Sequence, residues 1–154
     1  MNTLAPNSPS APAPTGRRPR RLATILAVFA AVVVLSGCLD EQGQRSYDLL
    51  NNERTHRGLA ALNNDLDLNS IAQKWSDHMA ATGTLAHSGV SIPPGATRVA
   101  ENVGYGSSVD RVHHLLMNSG PHRANILHNG MTRVGIGAAV DSQGRVWITQ
   151  IYAN

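Results

Sequence analysis

The residue types best suited to chemistry in this 154-residue chain fall in three short pieces: His87-Ser88, Ala100-Glu101-Asn102-Val103-Gly104, and Ser119-Gly120-Pro121-His122-Arg123-Ala124-Asn125-Ile126-Leu127. Two neutral imidazoles, His87 and His122, with the Glu101 carboxylate nearby can hold Zn²⁺ at ~2.0–2.1 Å, with a water completing the shell. A zinc-bound water with a pKa of about 7 is a hydrolytic nucleophile, and Glu101 would serve as its base. Catalytic zinc normally takes three protein ligands, so two nitrogens are a thin set.

Each of these residues also has a structural reading. Glu101 and Asn102 stand among glycines, where such side chains are often spent on backbone N–H groups that a buried segment leaves unpaired. His122 follows Pro121 and can brace a helix N-terminus in its neutral form. Asn125 is most simply a hydrogen-bond brace for the same turn. Ser119 beside His122 hints at a hydrolase nucleophile, but no Gly-x-Ser-x-Gly elbow surrounds it. Gly104-Tyr105-Gly106 lacks the third glycine and the strand context of a phosphate loop. His56, His78, His113, His114 and His128 read as solvated, and Trp75 and Trp147 as core.

Positioning these groups requires several elements. From about Arg45 to Arg57 the chain lacks Pro and Gly and carries Tyr47, Leu49 and Leu50, which predicts a helix with Gly58 after its end. A second helix is expected over Asp65 to Thr82, where Leu68, Ile71, Ala72, Trp75 and Met79 keep helical spacing and Gly83 stops the run. Thr84 to Gly106 reads as a long irregular segment, which in a small domain is usually functional. Ser107 or Ser108 can cap a third helix with Val109, Val112, Leu115 and Leu116 inward, and a short helical piece carries His122 to Leu127. Val134 to Val140 and Val146 to Tyr152 alternate as strands around Asp141-Ser142-Gln143-Gly144, a hairpin loop. Helices must cover that sheet, giving an α+β or α-β-α sandwich.

The N-terminal residues read differently. Residues 2–16 are rich in Pro, Ser and Ala and cannot bury enough apolar area to order themselves. Arg17, Arg18, Arg20 and Arg21 then precede an apolar run from Leu22 to Leu35 and the small residues Ser36-Gly37, the order of a secretory signal. Leu35-Ser36-Gly37-Cys38 resembles a bacterial lipobox, which implies cleavage before Cys38 and a diacylglyceryl group on its thiol. The alternative is an uncleaved anchor, because Leu22 to Leu39 is free of charge but only at the low edge of the roughly 20 residues that span a bilayer. Either way the domain lies outside the cytoplasmic membrane. The expected organisation is a signal peptide at 1–37, a lipidated Cys38 with a tether to residue 44, and one domain over 45–154.

Without the leader the charge argument changes. The chain holds 13 Lys and Arg against 10 Asp and Glu; four of the arginines lie in the leader, leaving 9 against 10, a net charge of −1. No basic cluster remains, which argues against a nucleic-acid partner. Cys38 is the single cysteine, so the domain has no internal disulfide.

In order along the chain, Asn52-Glu53-Arg54, Gly58-Leu59, Leu66 to Trp75, His87-Ser88, Glu101-Asn102-Val103-Gly104, Ser119 to Leu127, Val134-Gly135-Ile136-Gly137 and Trp147-Ile148-Thr149-Gln150 resemble the CAP superfamily. That superfamily takes in cysteine-rich secretory proteins, antigen 5 and plant pathogenesis-related proteins, and the short bacterial SCP form is the nearest in pattern. The resemblance covers roughly Arg45 to Asn154 and implies an α-β-α sandwich with a cleft of two His and two acids. By motif position His87 and His122 are the two His and Glu101 the first acid. The second acid is expected where Ser119 stands, three residues after Leu116, so the set is incomplete. The resemblance implies a surface-anchored binding module for a lipid, a sterol or an envelope component, rather than an enzyme. The alternatives are a metal-assisted hydrolase or peptidase using His87, Glu101 and His122, and a purely structural envelope protein.

Overall fold

The computed structural model describes Met1 and residues 39–154; the expected signal peptide and Cys38 lie outside the described residues. Among the described residues no helix is long and apolar enough to cross a membrane. Local chemistry sets the helix boundaries. Asp40 caps α1 (Glu41–His56) by accepting from the Gly43 N–H at 2.7 Å. That cap starts the helix at Glu41 rather than Arg45, so Glu41 to Gln44, expected as tether, form its first turn. The two-residue strand β1 (Asn63–Asn64) leads to Asp65, which caps α2 (Leu66–Thr82), and α2 stops at Gly83 in the left-handed conformation, φ 65°. Next come β2 (Val99–Gly106), α3 (Val109–Asn118) capped by Ser108, and α4 (Gly120–Ile126) with Pro121 in its first turn. The chain ends on the hairpin β3 (Arg133–Val140) and β4 (Val146–Ala153).

The four strands lie in the order β1-β3-β4-β2, with β1 parallel to β3 and the other pairs antiparallel. Every residue of β4 is buried, as its central place demands. One face of the sheet is covered by α2, where Leu68 and Ala72 pack on Ile151 and Ala153. Gly135 and Gly137 make this contact possible, because a Cβ on either would run into the backbone of Leu68 or Ala72. The other face carries α1, α3 and α4, whose Leu50, Val112, Leu116 and Ile126 meet Val134, Ile136, Ile148 and Tyr152. The result is the expected α+β sandwich, with helices on both faces of the sheet.

Several expectations need correction. The segment expected to be irregular to Gly106 becomes strand at Val99, so Glu101 stands on β2 and not in a loop. Gly104 and Gly106 disguised the strand, yet each is there for packing: a Cβ on Gly104 would press on Val112 of α3 at 3.1 Å. Ile71 and Leu115, expected inward, are exposed, because the buried stripes follow Leu68, Ala72, Met79 and Val109, Val112, Leu116. Trp147 is fully buried, whereas Trp75 is only partly so. His113, expected to be solvated, is buried on the α1-facing side of α3, 3.7 Å from Glu53. Burial there holds its imidazole below the ordinary value, with Glu53 opposing the shift.

Candidate functional site

Successive residues of a strand point to opposite faces, and on β2 this separates Glu101 from Asn102. Asn102 is fully buried. Its Nδ2 donates to the His122 carbonyl at 3.1 Å, to Gln150 Oε1 and to Tyr152 Oη, while its Oδ1 accepts from Asn125 Nδ2 at 2.9 Å. Gln150 Nε2 extends the network to Ser46 Oγ of α1 at 3.1 Å. Burial pushes the Tyr152 phenol far up, so it stays a neutral donor, and its Oη donates to Gln150 Oε1. Asn125 is therefore the brace expected from sequence, and Asn102 fixes the turn that presents His122.

Glu101 faces the other way. Its carboxylate accepts from the Ser88 N–H at 2.9 Å and from the Ser88 hydroxyl, and lies 2.7 Å from His87 Nδ1. An ionised carboxylate only accepts, so the proton sits on Nδ1 and His87 Nε2 is left free to face outward. The Glu101 side chain is 6% exposed and that of His87 is 59% exposed: a buried carboxylate orients an open imidazole. His122 approaches from α4. Burial first, and the neighbouring His87 second, hold its imidazole below the ordinary value, so it is neutral at pH 7.

The structure thus brings His87 and Glu101 into contact and sets His122 within electrostatic reach of His87. His56, His78 and His114 are exposed, and none of the three pairs with Glu101 or His87. Glu101 is committed to His87 and Ser88 in place of a metal, and among the described residues no group of three or more His, Cys, Asp or Glu side chains can hold a metal ion. Two free imidazole nitrogens fall short of the three protein ligands of a catalytic zinc centre, so the donor set does not fit one.

Beside His122 runs a groove of about 430 Å³ that the sequence reading did not find. Val103 and Gly104 of β2 and Leu116 of α3 line it, Leu85, Tyr105 and Leu115 wall it, and Ser119 and His122 are the polar side chains of its lining. The three wall residues are 47%, 41% and 43% exposed, and they gather around one groove in place of being scattered singly. Tyr105 is held in place by stacking on buried Trp147, ring centroids 4.6 Å apart, with the Arg145 guanidinium against both rings. The signal available in sequence was Leu115, an apolar residue beside the buried stripe of α3 and one more than its core face required.

Comparison with known proteins now has a geometry to rest on. No curated protein matches the sequence. Among solved structures, an outer surface protein from Borrelia burgdorferi superimposes with a TM-score of 0.65 at 16% identity, covering 75% of this chain and 96% of that one. A cysteine-rich secretory protein from Staphylococcus aureus gives a TM-score of 0.56 at 24% identity over 73% of this chain and 38% of its own. An extracellular protein with an SCP domain from Bacillus anthracis gives 0.60 at 23% identity over 77% and 45%. This chain spans less than half of the latter two and nearly all of the Borrelia chain. Residues 47–152 match the model of the cysteine-rich secretory protein family, CAP, and the chain belongs to that family.

Proposed function

We propose that this CAP domain is a binding module, held outside the cytoplasmic membrane by an acylated Cys38, whose groove takes an amphiphilic envelope lipid or sterol. One observation carries the reading: three large apolar side chains stand exposed around a groove whose lining also holds the uncharged polar side chains of Ser119 and His122. Exposed apolar area of that kind is stable in water only at a cost, which a bound acyl chain or sterol ring removes. In its polar lining Ser119 stands where the family resemblance expects a second acid, and His122 is neutral at pH 7. A ligand hydroxyl or carboxyl therefore meets hydrogen-bonding groups and no opposing charge.

Anchoring rests on the lipobox-like run Leu35-Ser36-Gly37-Cys38. Two or three acyl chains, at about 0.8 kcal/mol per buried methylene, hold a protein durably on a bilayer. Extracellular and outer-surface naming of the similar bacterial structures is consistent with this location. Cys38→Ser should move the protein out of the membrane fraction and abolish its labelling by palmitate; unchanged fractionation without any labelling would refute the anchor.

The groove is tested on residues 39–154 by titration with dansyl-undecanoic acid, which brightens on leaving water. Leu115→Asp should weaken saturable binding by about tenfold or more, since it removes a wall contact and adds a charge beside the chain. Ile71→Asp, an equally exposed position on α2 that does not line the groove, should leave it unchanged. Absence of saturable binding, or equal loss in both variants, would overturn the reading.

A further inference from the structure

Among the described residues, Thr84 to Ile92 makes no backbone–backbone hydrogen bond. Gly83 and Gly89 flank its first part, both in the left-handed region at φ 65° and φ 69°, which glycine adopts without strain. From Thr84 to His87 every residue is exposed. Such a stretch would ordinarily wander, yet two latches fix it. On the α2 side the Trp75 indole Nε1 donates to the Ala86 carbonyl at 2.7 Å. On the β2 side Glu101 takes the His87 and Ser88 bonds described above.

The two latches differ in what holds them. Trp75 rises from the middle of α2, packs against Met79, Val103 and Trp147, and stacks on His78 with ring centroids 4.8 Å apart. It is a fixed post that is not itself among the residues lining the groove, although it packs behind one of them, Val103. The segment it holds carries both Leu85, a wall of the groove, and His87, the open imidazole. Opening it costs only a few side-chain bonds, whereas opening any neighbouring element costs a strand or helix.

We propose that Thr84–Ser88 is a movable strap forming one wall of the groove, and that Trp75 is the positioning residue that keeps it closed. The inference rests on the groove reading above. When the strap lifts, Leu85 swings off the groove and His87 leaves its place beside Glu101; when it closes on a ligand, wall and imidazole return together. Ligand exchange is then governed by a residue that does not contact the ligand.

The test uses Trp75→Phe, which keeps a ring on α2 and removes the indole donor, with Ser88→Ala to weaken the second latch independently. Amide hydrogen exchange should quicken about tenfold at Ser88 and Val90, whose N–H groups are bonded to Glu101 and to the Ser88 hydroxyl, in Trp75→Phe, while α2 and β4 amides keep wild-type rates. In stopped-flow mixing, dansyl-undecanoic acid should associate and dissociate roughly threefold faster or more, with a smaller change in affinity. A merely structural role would raise exchange in α2 as well and leave the probe rates alone. Unchanged exchange at the strap in both variants overturns the latch. Faster exchange with unaltered probe kinetics overturns the gating. A wild-type domain that binds no probe sinks the groove reading and the gating with it, while the exchange contrast still decides whether Trp75 holds the strap.

Discussion

Two faces of one strand divide the labour in this domain. Behind β2, buried Asn102 sits in a network where Ser46, Gln150 and Tyr152 contribute buried polar groups from α1 and β4, and His122 and Asn125 half-buried ones from α4. In front of it, Glu101 is nearly as buried but spends its carboxylate on an exposed segment that has no backbone bonds of its own. A buried network whose members are all bonded is rigid, because losing any one leaves others unpaired in a low dielectric. A latch whose partners can turn to water is reversible, because water replaces the bonds. The closed face fixes where His122 is presented; the open face leaves His87 and Leu85 free to move.

The largest effect that can break this contrast is Asn102→Ala. It strips partners from Gln150, Tyr152, Asn125 and the His122 carbonyl at once, and should lower stability by roughly 2–4 kcal/mol in denaturant unfolding. On the opposite face Glu101→Gln keeps the shape and an acceptor for the Ser88 N–H, and its His87 partner is mostly in water, so the loss should stay under about 1 kcal/mol. Equal losses from the two substitutions would mean that the faces do not differ in kind.

How far this arrangement was legible in the sequence follows from the same contrast. Hydrophobic period located α2, the β3–β4 hairpin and the inward face of α3, because burial repeats along those elements. Motif order located His87, Glu101 and His122. What escaped was set by tertiary packing. Gly104 and Gly106 look like loop residues and are in fact the price of α3 lying close on β2. His113 looks like one of a solvated pair, yet the α1–α3 interface buries it. The apolar groove was illegible because Leu85, Tyr105 and Leu115 come from three separate segments and share no period. Trp75, expected in the core, is half a core residue, and its indole N–H is used at the surface.

The smallest effect sharpens the open face itself. His122 titrates low chiefly because it is partly buried, and secondarily because a positive charge on His87 disfavours one on His122. His87→Ala removes only the second cause. The His122 midpoint, followed by the shift of its ring Cε1–H in NMR, should therefore move upward but remain below the ordinary imidazole value of 6.5. In the wild type His122 should therefore stay neutral down to a lower pH than an ordinary imidazole does. A midpoint that does not move would mean that the imidazoles do not sense each other, and the open face would be two unrelated surface residues in place of one site. A midpoint that rises fully to the ordinary value would mean that burial contributes nothing, contradicting the half-buried seat of His122 in the groove lining.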